Sequence, residues 1–109
     1  MSEERWHDKR VLITGVCGTV GGEIFRQLLQ RNPREIVGID TDESELFFLD
    51  NRYGDDDRVN VHLCDVRDQA SLTDHARGID ILVHTAALKH VILCEQAPQQ
   101  AVQTNIEGV

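Results

Sequence analysis

Three glycines at three-residue intervals, Gly15, Gly18 and Gly21, stand between a short apolar run, Val11-Leu12-Ile13-Thr14, and an amphipathic segment, Glu23-Ile24-Phe25-Arg26-Gln27-Leu28-Leu29. A loop that cradles a diphosphate needs this order. Gly15 permits a tight turn off a strand, Gly18 lets the backbone approach a pyrophosphate, and Gly21 lets the next helix pack close to the sheet. The helix N-terminus, with Thr19 and Val20 in its candidate set beside Thr14, then offers free N–H groups and a partial positive charge to phosphate oxygens. The spacing is one residue longer in its first gap than the commonest dinucleotide fingerprint, and a glycine-rich turn with no ligand is the plainer alternative. No Gly-Lys-Ser/Thr follows, which argues against a P-loop that hydrolyses nucleoside triphosphates.

Asp40 ends a second apolar run, Ile36-Val37-Gly38-Ile39. A carboxylate there accepts hydrogen bonds from adenosine ribose hydroxyls and repels a 2′-phosphate, with Asp42 and Glu43 adding to the repulsion. NAD is therefore expected in preference to NADP. The plainer alternative is that Asp40 or Asp42 simply caps a helix. Asp65, with Val66 beside it, is placed to accept from an adenine amino group; a loop aspartate capping the next helix is an equal alternative. Ala86 and Ala87 leave room for a cofactor at the carboxyl end of a fourth strand. Lys89 and His90 invite a catalytic reading, against the plainer one of solvated loop residues. The histidines show no metal-ligand spacing, and no metal is expected.

The elements that must position these residues alternate. Strands are expected at 11–14, 35–40, 59–63 and 79–84, and helices at 21–30, 42–51 and from Asp68 or Ser71 to about 76. The second helix is expected to bury Leu46, Phe47 and Leu49. A loop is expected from Thr85 to about Pro98, with Pro98 opening a further helix to Ile106. Strand–helix alternation predicts an α/β fold: a Rossmann-like three-layer αβα arrangement around a parallel sheet, of which this is the N-terminal portion. Residues 1–9 read as a tail, and 10–109 as an NAD-binding unit truncated before the catalytic and substrate-binding portion.

Composition sets outer limits. At 109 residues the chain holds one compact unit, and its formal net charge of −8 argues against a nucleic-acid face. The three cysteines, Cys17, Cys64 and Cys94, form no Cys-x-x-Cys pair and fit reduced thiols in the cytoplasm. No apolar stretch reaches membrane-spanning length.

Taken together, Thr14-Gly15-x-x-Gly18-x-x-Gly21, Asp40, Asp65-Val66 and Ala86-Ala87 resemble an extended short-chain dehydrogenase/reductase. The segment His84-Thr85-Ala86-Ala87-Leu88-Lys89-His90-Val91, with Glu95, Pro98 and Thr104-Asn105-Ile106-x-Gly108, is similar to the UDP-N-acetylglucosamine 4,6-dehydratase and polysaccharide-biosynthesis branch. The resemblance implies a redox-neutral reaction on a UDP-N-acetyl-hexosamine: hydride leaves sugar C4 for NAD, water is eliminated across C5 and C6, and hydride returns at C6. It implies pyrophosphate contacts from Gly15, Gly18 and Gly21, ribose contact from Asp40 and adenine contact from Asp65 and Val66. Ala86, Ala87 and Lys89 are placed beside the nicotinamide, and Asn105 on a supporting helix.

The departures from the family pattern are specific. The Tyr-x-x-x-Lys pair is missing: the one tyrosine, Tyr53, has Asp57 four residues later. No catalytic residue is therefore expected in this chain, which is expected to be inactive alone. Ile92 stands where the branch has proline. A half-sheet exposes an edge and apolar helix faces, so association, and a homo-oligomer, are expected. A UDP-sugar 4-epimerase and a non-catalytic dinucleotide-binding module remain the alternatives.

Overall fold

A computed structural model of the protein describes residues 3–85, 91–97 and 100–106. In chain order the elements are α1 (Glu3–Trp6), β1 (Arg10–Thr14), α2 (Thr19–Leu29), β2 (Glu35–Asp40), α3 (Glu43–Tyr53), β3 (Val59–Leu63), α4 (Gln69–His75), β4 (Ile81–Thr85), β5 (Val91–Ala97) and β6 (Gln100–Ile106). The sheet runs β3-β2-β1-β4-β5-β6. The first four strands in that order are parallel, with Leu12 opposite Val37 on one side and Leu82 on the other. Crossover helices cover both faces, which makes this the expected three-layer α/β fold.

β1 is central, and its Val11, Leu12 and Ile13 are fully buried. Its side chains alternate between two cores. Val11 and Ile13 pack with Ile24, Phe25 and Leu28 of α2 and Leu46 of α3; Leu12 packs with Val37, Ile39 and Cys64, and Leu72 of α4 lies against that second cluster. Strands buried on both faces read as near-continuous apolar runs, as β1 and β2 do. Asn32, at φ +53°, turns the chain out of α2 and into the Pro33 connection.

Four local expectations are corrected. Residues 1–9 are more than a tail: α1 makes one helical turn and Trp6 is 2% exposed within the first core. α2 begins at Thr19, two residues earlier than expected, because Gly18 serves as its N-cap. Phe47 is 62% exposed, whereas Leu46 is buried; α3 turns only a narrow stripe inward, Leu46 with Leu49 and Tyr53 partly buried, and Phe47 points about 100° away from Leu46.

The fourth correction is the largest. In place of the expected loop and helix, residues 91–97 and 100–106 form β5 and β6, an antiparallel pair on the edge of β4, with His84 opposite Ile92 and Ala97 opposite Gln100; the rest of the expected loop, 86–90, and Pro98 lie outside the described residues. The open edge of β4 carries backbone groups that need partners, and Val91-Ile92-Leu93 is a β-branched, apolar segment suited to supply them.

Candidate functional site

The glycine loop joins β1 to α2 at the carboxyl end of the parallel strands. Gly15 has φ +71°, and a Cβ there would overlap the Thr85 hydroxyl. A Cβ on Gly21 would overlap the Gly15 carbonyl oxygen, so α2 sits as close to the loop as a glycine allows. Gly18 is more open, its nearest neighbour being the Gly15 oxygen at 3.3 Å. The turn is closed by the Gly18 N–H donating to the Gly15 carbonyl at 3.0 Å. Gly15 and Val16 both donate to the Ile39 carbonyl, at 2.9 and 3.2 Å.

No side chain caps α2, and its first turn contains no acidic residue. The N–H groups of Thr19, Val20 and Gly21 have no carbonyl one turn back inside the helix to receive them. α3 differs: the Asp42 carboxylate accepts from the Glu45 N–H at 3.1 Å, and Glu43 and Glu45 occupy its first turn. Of two neighbouring helix starts, one is closed by carboxylates and the other is left open to an anion.

Asp40 faces that open start. One carboxylate oxygen accepts from the Cys17 N–H at 3.0 Å; the other accepts from Thr41 and Asp42 N–H at 2.8 and 3.1 Å. The cap of α3 is thus Asp42, and Asp40 holds the glycine loop against the end of β2. Burial, followed by Asp40, Asp42 and Glu45, pushes the Cys17 thiol up to about 12.

Two depressions flank the loop. A cleft of about 150 Å³ is lined by Thr14, Gly15, Asp40, Asp65, Val66 and Thr85, among others. Of the expected residues, Thr14, Gly15, Asp40, Asp65 and Val66 thus share one cleft. On the other side of the loop, Cys17, Gly18, Thr19, Arg26, Glu45 and Arg52 line a groove of about 360 Å³ between α2 and α3. Asp65 does not cap α4; Asp68 does, accepting from the Ser71 N–H at 3.2 Å. The Asp65 carboxylate is instead gripped by Arg67, whose side chain donates at 2.7 to 3.2 Å and whose backbone N–H donates at 2.9 Å. These contacts lower its pKa to about 2.

Sequence reasoning missed the residues that shape the loop from below. The Thr85 hydroxyl donates to the Thr14 carbonyl at 2.7 Å and reaches the Gly15 carbonyl at 3.4 Å. Thr14 is buried, and its hydroxyl pairs with His84 Nδ1 at 2.6 Å. Gly38 admits Val16: a Cβ on Gly38 would stand 2.9 Å from both Val16 methyls. The one available signal was a glycine inside an apolar strand, which marks a close approach.

Other expected residues fall elsewhere. Ala86, Ala87, Lys89 and His90 lie outside the described residues. Asn105 lies not on a helix but on the outer strand β6, opposite Ile92 and two strands from β4. Tyr53 packs edge-on against Phe25 with ring centroids 5.0 Å apart, a core contact away from the cleft.

Four parallel strands, a glycine loop and a carboxylate at the end of β2 define a Rossmann-type α/β domain. The chain belongs to the family described as polysaccharide biosynthesis protein, which its residues 11–109 match. It is 40% identical over 103 residues to an uncharacterized membrane protein of Methanocaldococcus jannaschii, covering 94% of this chain and 31% of that one. A UDP-glucose 4-epimerase of Rickettsia bellii is 33% identical, with 93% of this chain and 30% of the relative covered. A UDP-N-acetylglucosamine 4,6-dehydratase (inverting) of Campylobacter jejuni is 32% identical, with 94% and 31% covered. The chain thus spans about a third of the length of these curated relatives.

Among solved structures, Pen from Bacillus thuringiensis superimposes with a TM-score of 0.71 at 30% identity, over 78% of this chain and 26% of that one. The Bordetella bronchiseptica enzyme WbmF in complex with NAD+ and UDP shares the fold, with a TM-score of 0.61 at 18% identity over 78% and 25%. Among the described residues no helix is long and apolar enough to cross a membrane.

Proposed function

We propose that this chain is the dinucleotide-binding part of a UDP-sugar-modifying enzyme, a UDP-N-acetylglucosamine 4,6-dehydratase of polysaccharide biosynthesis, and that it takes NAD in preference to NADP. The observation that carries the reading is the uncapped start of α2 opposite the Asp40 carboxylate. Such a pair fits a diphosphate on one side and a ribose diol on the other. The close approaches at Gly15 and Gly21 fit a backbone shaped to admit a bulky anion. NAD, when bound, supplies a reversible hydride acceptor.

The chain's own residues bind and orient. The amides of Thr19, Val20 and Gly21 receive the pyrophosphate beside Gly18. Asp40 accepts from the ribose hydroxyls while Cys17 N–H keeps its carboxylate in place. Asp65 and Val66 border the adenine. Asp40, Asp42 and Glu45 together disfavour a 2′-phosphate by like-charge repulsion. Ala86, Ala87 and Lys89 stay with the nicotinamide half of the site on family resemblance alone. Residues 10–109 supply the cofactor unit and no catalytic residue, so the chain by itself turns over no sugar nucleotide.

The resemblance of Ala86-Ala87-Leu88-Lys89-His90-Val91 to the dehydratase branch supports dehydration; the likeness to the Rickettsia enzyme supports 4-epimerisation as the second reading. A homo-oligomer belongs to the same proposal, supported by exposed Phe47, Phe48 and Leu63. So does a cytoplasmic location, supported by the free thiols of Cys17 and Cys64. Titrating the chain with NADH and NADPH tests the cofactor assignment. Product analysis of an enzyme carrying this domain, with UDP-N-acetylglucosamine and UDP-glucose as substrates, separates dehydration from epimerisation.

A further inference from the structure

The rings of His62, on edge strand β3, and His75, in the last turn of α4, stack with centroids 4.7 Å apart and planes inclined at 24°. Neither residue belongs to the proposed cofactor cradle. α4 is weakly held: it has seven residues, none of them fully buried. Its apolar anchor is Leu72, partly buried against the Leu12, Val37, Ile39 and Cys64 cluster, with Ala76 just past its end. The helix is thus fixed at its start by the Asp68 cap and at its finish by the imidazole stack. Elements held by few buried contacts open locally before the rest of the fold.

We propose that the His62–His75 stack is an acid-sensitive latch, which docks α4 on β3 while the rings are neutral and releases it when both are protonated. The groups acting on His62 are named by the packing. His75 approaches from α4 and opposes a second positive charge; Glu35 approaches from β2 and favours one. Glu35 is shared, however: one oxygen accepts from Asn60 Nδ2 at 2.8 Å, and Arg10 lies 3.9 Å from the other. On α4 itself, Asp74 pairs with Arg77.

Loss of water where the exposed His62 ring lies against its neighbours, the largest cause, and the His75 charge together make His62 harder to protonate in the folded protein. Its contribution is therefore fully present above the ordinary imidazole value of about 6.5 and is lost as pH falls below it. α4 is joined to β3 by residues 64–68, which carry Asp65 and Val66 into the cleft wall, so release of the helix slackens that wall.

Amide hydrogen exchange of the 109-residue chain, corrected for intrinsic rates, tests the latch between about pH 7.5 and about pH 5.5. Protection over α4 and residues 64–68 should fall severalfold at the lower pH while that of β1 holds. His75→Phe keeps a stacked ring and removes a proton site, and should leave α4 equally protected at both pH values. Wild-type α4 that keeps its protection at the lower pH overturns the proposal. So does a loss in H75F as large as in wild type. Should H75F undock α4 altogether, His62→Phe provides the same comparison from the strand side.

Discussion

The Asp40 carboxylate accepts the Cys17 N–H at 3.0 Å across 23 residues of sequence. With Thr41 and Asp42 N–H on its other oxygen, it ties the end of β2 to the middle of the glycine loop. The residue proposed to select the ribose is therefore also the one that sets the loop's shape.

Asp40→Ala should act on both roles. Three backbone donors lose a charged acceptor, which lowers stability by about 1–3 kcal/mol. NADH affinity should fall at least tenfold, or about 1.4 kcal/mol. Urea denaturation and calorimetric titration measure the two effects separately, and Asp40→Asn should retain more of the stability than of the affinity.

The glycines divide into those with room and those without. Gly21→Ala pushes a methyl into the Gly15 carbonyl and should destabilise by about 1–3 kcal/mol despite alanine's better helix propensity. Gly22 has only the Val16 oxygen, 3.5 Å from an added Cβ. Gly22→Ala should therefore stabilise by about 0.5–1 kcal/mol. Denaturation midpoints that move in the same direction for both variants would contradict this account of the loop.

Gly38 and Val16 form a matched pair, and their coupling is measurable. Gly38→Ala alone overpacks the contact and should cost about 1–3 kcal/mol. In the double variant with Val16→Ala the two changes should be non-additive, with at least about 0.5 kcal/mol of the loss recovered. Full additivity in the double-mutant cycle would show that the two residues do not share the space.

Much of this was legible in sequence because the relevant signals are local. The β1–loop–α2 order, the limits of β2 and β3 and the Asp40 position follow from apolar runs and punctuating glycines. The choice between Asp40 and Asp42 as helix cap was not legible, because both are acidic and two residues apart; only the Glu45 N–H geometry separates them. Thr85 and His84 were missed because they act on Thr14 and Gly15 from some 70 residues away. The segment 100–106 reads as a helix from its Pro98 start, yet it pairs with β5, which itself lies on the edge of β4, a tertiary demand that local pattern does not carry.

Two perturbed groups beside the glycine loop and cleft, Cys17 and Asp65, give a pH signature. Cys17, raised to about 12, stays a thiol at neutral pH, so its alkylation at about pH 8 should be far slower than that of an unperturbed thiol. Asp65, lowered to about 2 by Arg67, contributes stability that is present above the ordinary carboxylate value of about 3.9 and lost as pH falls towards 2. Arg67→Gln should return the Asp65 carboxyl towards that ordinary value in an NMR titration. An unchanged titration would exclude the guanidinium as the cause.

The central claim, that the open start of α2 and the Asp40 carboxylate form an NAD cradle, is tested most directly by one titration. Wild-type chain and Asp40→Ala are each titrated with NADH and NADPH under the same conditions. The account predicts that wild type binds NADH at least tenfold more tightly than NADPH, and that Asp40→Ala loses most of that preference. Equal affinity of wild type for the two nucleotides, or binding of neither, would contradict it.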